Sequence, residues 1–290
     1  MSSHVATKQV TVPWIRSQKG KEKLTMLTAY DYPTALFLDE AGVDMLLVGD
    51  SVATVMYGEP NTLAVTMDDM LRHTRAVARA AKRALVIGDM PFMSYQVSRE
   101  QAVTNAGRFL KEAGAQAVKL EGGTEVAETI KAITTAGIPV CAHIGLTPQS
   151  INAMGTYRMH GKTNEERQYL LDSAYAAAAA GAFAVVLECV EANLATEITK
   201  AIKIPTVGIG AGTNCDAQVL VINDLVGLTA GRVPKFVAPL ANLKEPLQEA
   251  VKSFIARTRQ AAPPVEVQEA VAPPTPTLPT DGGKAHAVSH

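Results

Sequence analysis

Disulfide chemistry has little to work with in this chain. It has three cysteines among 290 residues, Cys141, Cys189 and Cys215. An odd number with no close pairing pattern argues against a disulfide scaffold. No CxxC motif is present, so a structural zinc site is not expected. Cys141 and Cys189 sit within apolar runs and read as buried thiols. Charge imbalance is missing too: 27 Lys and Arg oppose 28 Asp and Glu, a formal net charge of −1. Bulk attraction to nucleic acid or to an anionic membrane is therefore not expected. No apolar stretch reaches the roughly 18 residues of a membrane span, and the alanine run at 176–180 belongs to an amphipathic helix. The opening residues are polar and lack the apolar core of a signal peptide. The expectation is a cytoplasmic protein without nucleic-acid or membrane partners.

What the chain does have is apolar mass, 47% of its residues, in a repeating arrangement. Short unalternating apolar runs occur at 24–28, 45–48, 85–88, 117–120, 139–142, 184–187, 206–209 and 226–229. Runs of this kind suit strands buried on both faces of a parallel sheet. Helical periodicity fills the intervals at 32–41, 67–81, 99–113, 124–136 and 165–180. Thr66 and Ser98 stand where N-caps are needed. Gly42, Gly114, Gly137 and Gly181 close four of these helices, the usual helix-to-strand connection. Eight such units predict an α/β fold of the (β/α)8 TIM-barrel class, which needs about 250 residues. Residues 1–23 read as an arm with a short helix, 24–260 as the catalytic barrel, and 261–290, rich in proline with little to bury, as a disordered tail.

A barrel of this class builds its active site at the C-terminal ends of the strands. Asp50 and Ser51 follow the second run, Asp89 the third, Lys119 and Glu121 lie on the fourth, His143 follows the fifth, and Glu188 closes the sixth. Buried charges are costly unless paired or bound to metal, so such a convergence points to a site. Asp50 and Asp89 are hard oxygen donors on neighbouring strands and suit Mg2+, which keeps much of its shell as water and substrate; N-capping of the following loops is the structural alternative. Lys119 and Glu121 are two apart and share a face. The lysine can bind a substrate carboxylate and the glutamate can contact the metal or its waters, unless the two simply pair with each other. His143 is either structural or part of the site. Glu188 ends an apolar strand, where its pKa would be pushed upward, as suits a general base; a salt bridge to Lys119 or a nearby arginine is the alternative. The GIGAG segment at 208–212 reads as close backbone packing, not a dinucleotide fingerprint.

Together the segments TAYD (28–31), VGDS (48–51), GDMPF (88–92), VKLEGG (118–123), HIGLTPQ (143–149), LECV (187–190), GIGAG (208–212) and PKF (234–236) resemble the ketopantoate hydroxymethyltransferase family, from about residue 23 to 236. The resemblance implies a phosphoenolpyruvate/pyruvate-type barrel that adds a one-carbon unit from 5,10-methylenetetrahydrofolate to 3-methyl-2-oxobutanoate. It implies that Asp50 and Asp89 bind Mg2+ and contact the keto acid, that Ser51 and Lys119 hold the substrate, that Glu121 belongs to the metal site, and that Glu188 accepts the proton. His143 joins the substrate-binding candidates. The resemblance also implies a homodecamer on the pantothenate and coenzyme A pathway. The chain departs from the family at Val52-Ala53, where Leu-Gly is usual, at Gly155-Thr156-Tyr157, and at Thr229-Ala230-Gly231, in place of Gly-Gly pairs. These changes touch loop geometry and leave the proposed catalytic positions intact.

Two other readings compete. A Mg2+-dependent oxo-acid carbon–carbon lyase or mutase on the same barrel would also use paired aspartates. Enzymes of that kind typically resemble one another in a KKCGH-like loop, and none of the three cysteines lies in one. A non-catalytic binding barrel predicts no cluster of ionisable strand ends.

Overall fold

The computed structural model describes residues 8–231 and 233–260. The expected tail at 261–290 and the first seven residues of the expected arm lie outside the described residues. Two units are present, one running to Lys244 and a second from Glu245.

The first unit is a closed barrel of eight parallel strands in sequence order. Helix α1 (Val12–Ser17) precedes β1 (Leu24–Thr28). Then come α2 (Tyr32–Glu40), β2 (Met45–Val48), α3 (Val52–Val55), α4 (Met67–Ala80), β3 (Leu85–Asp89), α5 (Arg99–Lys111) and β4 (Ala117–Glu121). The second half holds α6 (Ala127–Thr135), β5 (Val140–Gly145), α7 (Ile151–Met154), α8 (Asn164–Ala179), β6 (Ala184–Glu188), α9 (Ala192–Ala201), β7 (Thr206–Ile209), β8 (Ala217–Leu220) and α10 (Ile222–Leu225). Helix α11 (Lys244–Gln260) lies almost wholly in the second unit and buries none of its residues. Among the described residues no helix is long and apolar enough to cross a membrane.

The local signals explain the elements. Thr66 makes a reciprocal capping box with Asp69, and the Ser98 side chain accepts from the Gln101 amide, each satisfying amides that the helix leaves unpaired. Gly42, Gly114, Gly137 and Gly181 all have φ between 78° and 94°, a region costly for residues with a Cβ. Strands β2, β3 and β4 are buried at every position, because the helices cover one face and the barrel interior fills the other. Inside the barrel pack Met26, Met45, Leu47, Ile87, Val186 and Val207, with Val10 and Ile15 in the same cluster. The Val10 amide donates to the Arg83 carbonyl in the turn before β3. The segment before β1 thus closes the N-terminal end of the barrel and leaves the other end for the site.

Seven strands fall where apolar runs place them; the eighth does not. Residues 226–227 form a turn and 228–229 are irregular, and β8 is Ala217–Leu220, paired with β1 from Leu24↔Ala217 to Leu27↔Leu220 and with β7 at Val207↔Ala217. Only alternate residues of β8 are fully buried. Gln218 interrupts the apolar run, so an unalternating pattern is absent where the strand forms. The run at 226–229 instead follows α10.

Candidate active site

The ionisable strand ends gather at one rim because of register. Asp89 lies opposite Lys119, Glu121 opposite His143, and Gly145 opposite Glu188. Asp50, Asp89, Lys119, Glu121, His143 and Glu188, with Ser51, line one cavity of about 120 Å³. All of the strand-end candidates are brought together.

Lys119 Nζ donates to both carboxylate oxygens of Asp89 at 2.8 Å, while Glu121 Oε1 lies 3.8 Å away. The internal pair is thus chiefly Lys119–Asp89. Burial alone would lower the lysine's pKa, but the Asp89, Glu121 and Asp50 carboxylates outweigh it and raise it above its ordinary value. Asp89 also accepts from the Asp50 amide at 3.1 Å. Neither aspartate caps a helix: Ser51 holds the N-cap position of α3 without a side-chain bond, and its Oγ lies 2.8 Å from the Tyr30 hydroxyl.

Asp50 is the least compensated group in this arrangement of charges. It is buried, and among the described residues no cation forms an ion pair with it. Burial raises its pKa well above the usual carboxylate range, the Asp89 and Glu121 charges add to this, and Lys119 and Gln149 offset only part. Burial likewise raises Asp89, although Lys119 opposes it. Four carboxylates against Lys119 and His143 leave negative charge in excess, which a divalent cation would neutralise. Among the described residues no three His, Cys, Asp or Glu side chains are placed to hold a metal by themselves. A site with two hard oxygen donors therefore leaves the rest of the shell to substrate and water, as Mg2+ tolerates and structural zinc does not. The residues fit Mg2+ on those terms.

Gln149, which lies after β5 and drew no role from the sequence, holds these groups in place. Its Nε2 donates to Asp50 Oδ2 and to the Met90 carbonyl, both at 2.9 Å, and its Oε1 accepts from the Tyr95 hydroxyl at 2.7 Å. Its backbone amide donates to Glu121 Oε2 at 2.9 Å. One residue so links the ends of β2, β3 and β4. A polar residue that is buried in a loop after a strand end was the available signal, but burial is not readable from position alone.

His143 stands between two carboxylates, with Nδ1 3.5 Å from Glu121 Oε1 and Nε2 3.3 Å from Glu188 Oε2. Neither contact is aligned as a hydrogen bond, so both are electrostatic approaches. Burial and the Lys119 charge favour neutral imidazole, yet Glu121 and Glu188 prevail and raise the pKa to about 9. Glu121 is pulled the other way: burial would raise it, but His143 and Lys119 hold it below its ordinary value. Glu188 corrects an expectation. Its side chain is 19% exposed, so it is not sealed in apolar surroundings, and among the described residues its ion-pair partner is His143 and neither Lys119 nor an arginine. The strand end opens on solvent because β6 stops at the cavity mouth.

Backbone geometry sets the position of Glu188. The next residue, Cys189, has φ 48°, unusual for a side chain other than Gly, Asn or Asp and a mark of local strain. Its amide donates to the Ile209 carbonyl at 2.9 Å, and its carbonyl accepts from the His160 amide at 2.8 Å. On the other side, Gly145 has φ 95° and no room for a Cβ against the Glu188 carbonyl. Glu188 also borders a second, larger cavity of about 580 Å³, walled by Tyr157, Arg158, Met159, Lys235 and Phe236.

Comparison with known proteins finds relatives of the chain. The family described as ketopantoate hydroxymethyltransferase matches residues 9–266. The chain is 58% identical over 246 residues to the 3-methyl-2-oxobutanoate hydroxymethyltransferase of Syntrophobacter fumaroxidans, covering 85% of this chain and 87% of that one. It is 54% identical over 259 residues to the protein of the same name from Carboxydothermus hydrogenoformans, covering 89% and 94%. Among solved structures, 2,3-dimethylmalate lyase, a member of the PEP mutase/isocitrate lyase superfamily, aligns with a TM-score of 0.55 at 15% identity over 90% of this chain and 92% of that one. At that identity the likeness shows the barrel alone.

Proposed function

The chain belongs to the ketopantoate hydroxymethyltransferase family, and from that premise we propose that it transfers a hydroxymethyl group from 5,10-methylenetetrahydrofolate to 3-methyl-2-oxobutanoate. The products are ketopantoate (2-dehydropantoate) and tetrahydrofolate, on the route to pantothenate and coenzyme A. The observation that carries this reading is the single cavity shared by the acidic pair Asp50 and Asp89, the lysine beside them and the carboxylate of Glu188. It offers charge stabilisation and a base to one small oxo acid.

Asp50 and Asp89 would hold Mg2+, with Glu121 at the same rim. When bound, the metal supplies Lewis-acid stabilisation of the negative charge that develops on the keto oxygen. Lys119 presents its ammonium to the substrate carboxylate. Ser51, oriented by Tyr30, and His143 supply further hydrogen bonds. Glu188 accepts the proton from the branched carbon next to the carbonyl. His143, kept protonated at neutral pH between two carboxylates, has no free lone pair for that task, which favours Glu188. The enolate carbon then attacks the donor's methylene carbon. A carbon–carbon bond replaces the carbon–hydrogen bond, and water supplies the hydroxyl oxygen as the methylene leaves the folate nitrogens. Those nitrogens receive the abstracted proton and one from water.

The lyase or mutase reading draws on the barrel alone and no feature of the site favours it. Cytoplasmic location is part of the proposal, supported by three free thiols. So is self-association, to a homodecamer by resemblance, supported by exposed Phe37, Leu240 and Phe254. Turnover with both substrates, abolished by EDTA and restored by Mg2+, tests the reaction. Absence of ketopantoate at saturating Mg2+ from a folded enzyme would refute it.

A further inference from the structure

The acceptor cavity, at about 120 Å³, is small. The adjoining cavity is of ligand size, about 580 Å³, within the range of small-molecule sites. Among the described residues only Glu188 lines both. A transfer between two bound molecules needs this arrangement, because the carbon that loses its proton must face the incoming methylene.

The walls of the larger cavity are built. Phe236 packs on Gly210, whose φ is 61° and whose missing Cβ would sit 2.9 Å from the ring. The GIGAG segment thus has a use: it leaves room for an aromatic side chain against the backbone. The opposite wall, Tyr157 to Met159, is pinned next to Glu188 through His160, whose amide donates to the Cys189 carbonyl and whose carbonyl accepts from the Glu191 amide. Both aromatic rings remain open to solvent, Tyr157 at 55% and Phe236 at 43%. Burying two such rings in the free protein would have been favourable, so their exposure beside a reactive carboxylate is consistent with a flat partner that covers them.

Among the described residues the walls carry two cations, Arg158 and Lys235, and they differ. Arg158 is engaged by Glu166 at 2.7 Å. Lys235 forms no ion pair among the described residues, and it is adjacent to Phe236. Among the described residues of the walls it is the cation available to an anionic ligand.

We infer that this cavity is the donor subsite: the reduced pterin ring lies against Phe236 and Tyr157 with its methylene directed to Glu188, and the glutamyl carboxylates meet Lys235. This rests on the reading of methylenetetrahydrofolate as the donor. It names the residues on which that molecule depends.

The test uses the full-length enzyme with Mg2+. Phe236→Leu keeps apolar packing on Gly210 and removes the π-face; Lys235→Gln removes only the charge. Affinities for tetrahydrofolate and for 6-methyltetrahydropterin, which lacks the glutamate, are measured by calorimetry alongside steady-state kinetics. Phe236→Leu should weaken both ligands and raise the donor KM about 10-fold, the scale of a lost stacking contact, with the keto-acid KM within twofold. Lys235→Gln should weaken tetrahydrofolate several-fold and leave 6-methyltetrahydropterin unchanged. A wild type that turns over normally, with both variants binding tetrahydrofolate as it does, overturns the subsite and leaves the reaction standing. A wild type that exchanges the substrate proton in D2O but neither binds tetrahydrofolate nor uses the methylene donor overturns both.

Discussion

Gln149→Leu is the substitution that best probes how the site is held together. Leucine matches glutamine in bulk but offers no hydrogen bond. Four groups lose a partner: Asp50 Oδ2, the Met90 carbonyl, the Tyr95 hydroxyl and, at 3.4 Å, Gln96 Nε2, which is exposed and can turn to water. Tyr95 is not orphaned, since its hydroxyl can still donate to the Glu121 carbonyl at 3.2 Å and accept from the Glu121 amide at 3.1 Å. The Met90 carbonyl and the Asp50 carboxylate are left, both buried. Each unsatisfied buried group costs about 1–3 kcal/mol, more when charged, so the sum is about 2–6 kcal/mol. Water entering the cavity beside Asp50 offsets part of that, and the lower half of the range, about 2–4 kcal/mol, is expected. Urea unfolding at fixed protein concentration measures it, since an oligomer's stability depends on concentration. Mg2+ affinity should fall as well, because Asp50 loses its orientation. A double-mutant cycle with Asp50→Asn separates the causes: the two changes should be non-additive by about 1 kcal/mol or more. Destabilisation below about 1 kcal/mol with Mg2+ affinity unchanged would refute the view that Gln149 positions the acid.

Four further outcomes are expected. Asp50→Ala and Asp89→Ala should each weaken Mg2+ binding and cut turnover sharply with native circular dichroism; unchanged affinity by calorimetry in both would remove the metal assignment. Glu188→Gln should slow exchange of the substrate's branched-carbon hydrogen into D2O by about 10²-fold, the usual scale for a positioned base, whereas an unchanged rate would shift attention to His143. Gly145→Ala alters no ionisable group, yet its Cβ would collide with the Glu188 carbonyl at a φ of 95°; kcat should fall together with stability, and a fully active variant would show that the tight approach is dispensable. The Arg158 guanidinium bonded to Glu166 holds that carboxyl at about 2, below its unfolded value of about 4.3. The stability this contributes is present above the unfolded value and lost as pH falls toward 2, so Arg158→Gln should lower the thermal midpoint at neutral pH and converge with wild type in acid.

The strand ends were legible in the sequence because a parallel barrel buries both faces of its strands. Apolar runs therefore mark β1 to β7, and the residue after each run lands at the rim; Asp50, Asp89, Lys119, Glu121, His143 and Glu188 are found by counting. Glycines with positive φ, and the caps at Thr66 and Ser98, are local effects that any neighbourhood would preserve. The eighth strand was not legible, because Gln218 breaks its run and the closure against β1 is a long-range pairing that local composition does not encode. Nor was Gln149: only the folded barrel brings its carboxamide to Asp50, Met90 and Tyr95 at once. The environment of Glu188 follows the same rule. An apolar strand predicts a sealed carboxylate, whereas the tertiary structure ends β6 at an open mouth, sets His143 beside it, and places Glu188 on two cavities. Periodicity and steric preference act over a few residues, so the sequence determined which groups reach the rim. Distances between strands, burial and the balance of charge depend on residues far apart in the chain, and only the closed barrel decided them.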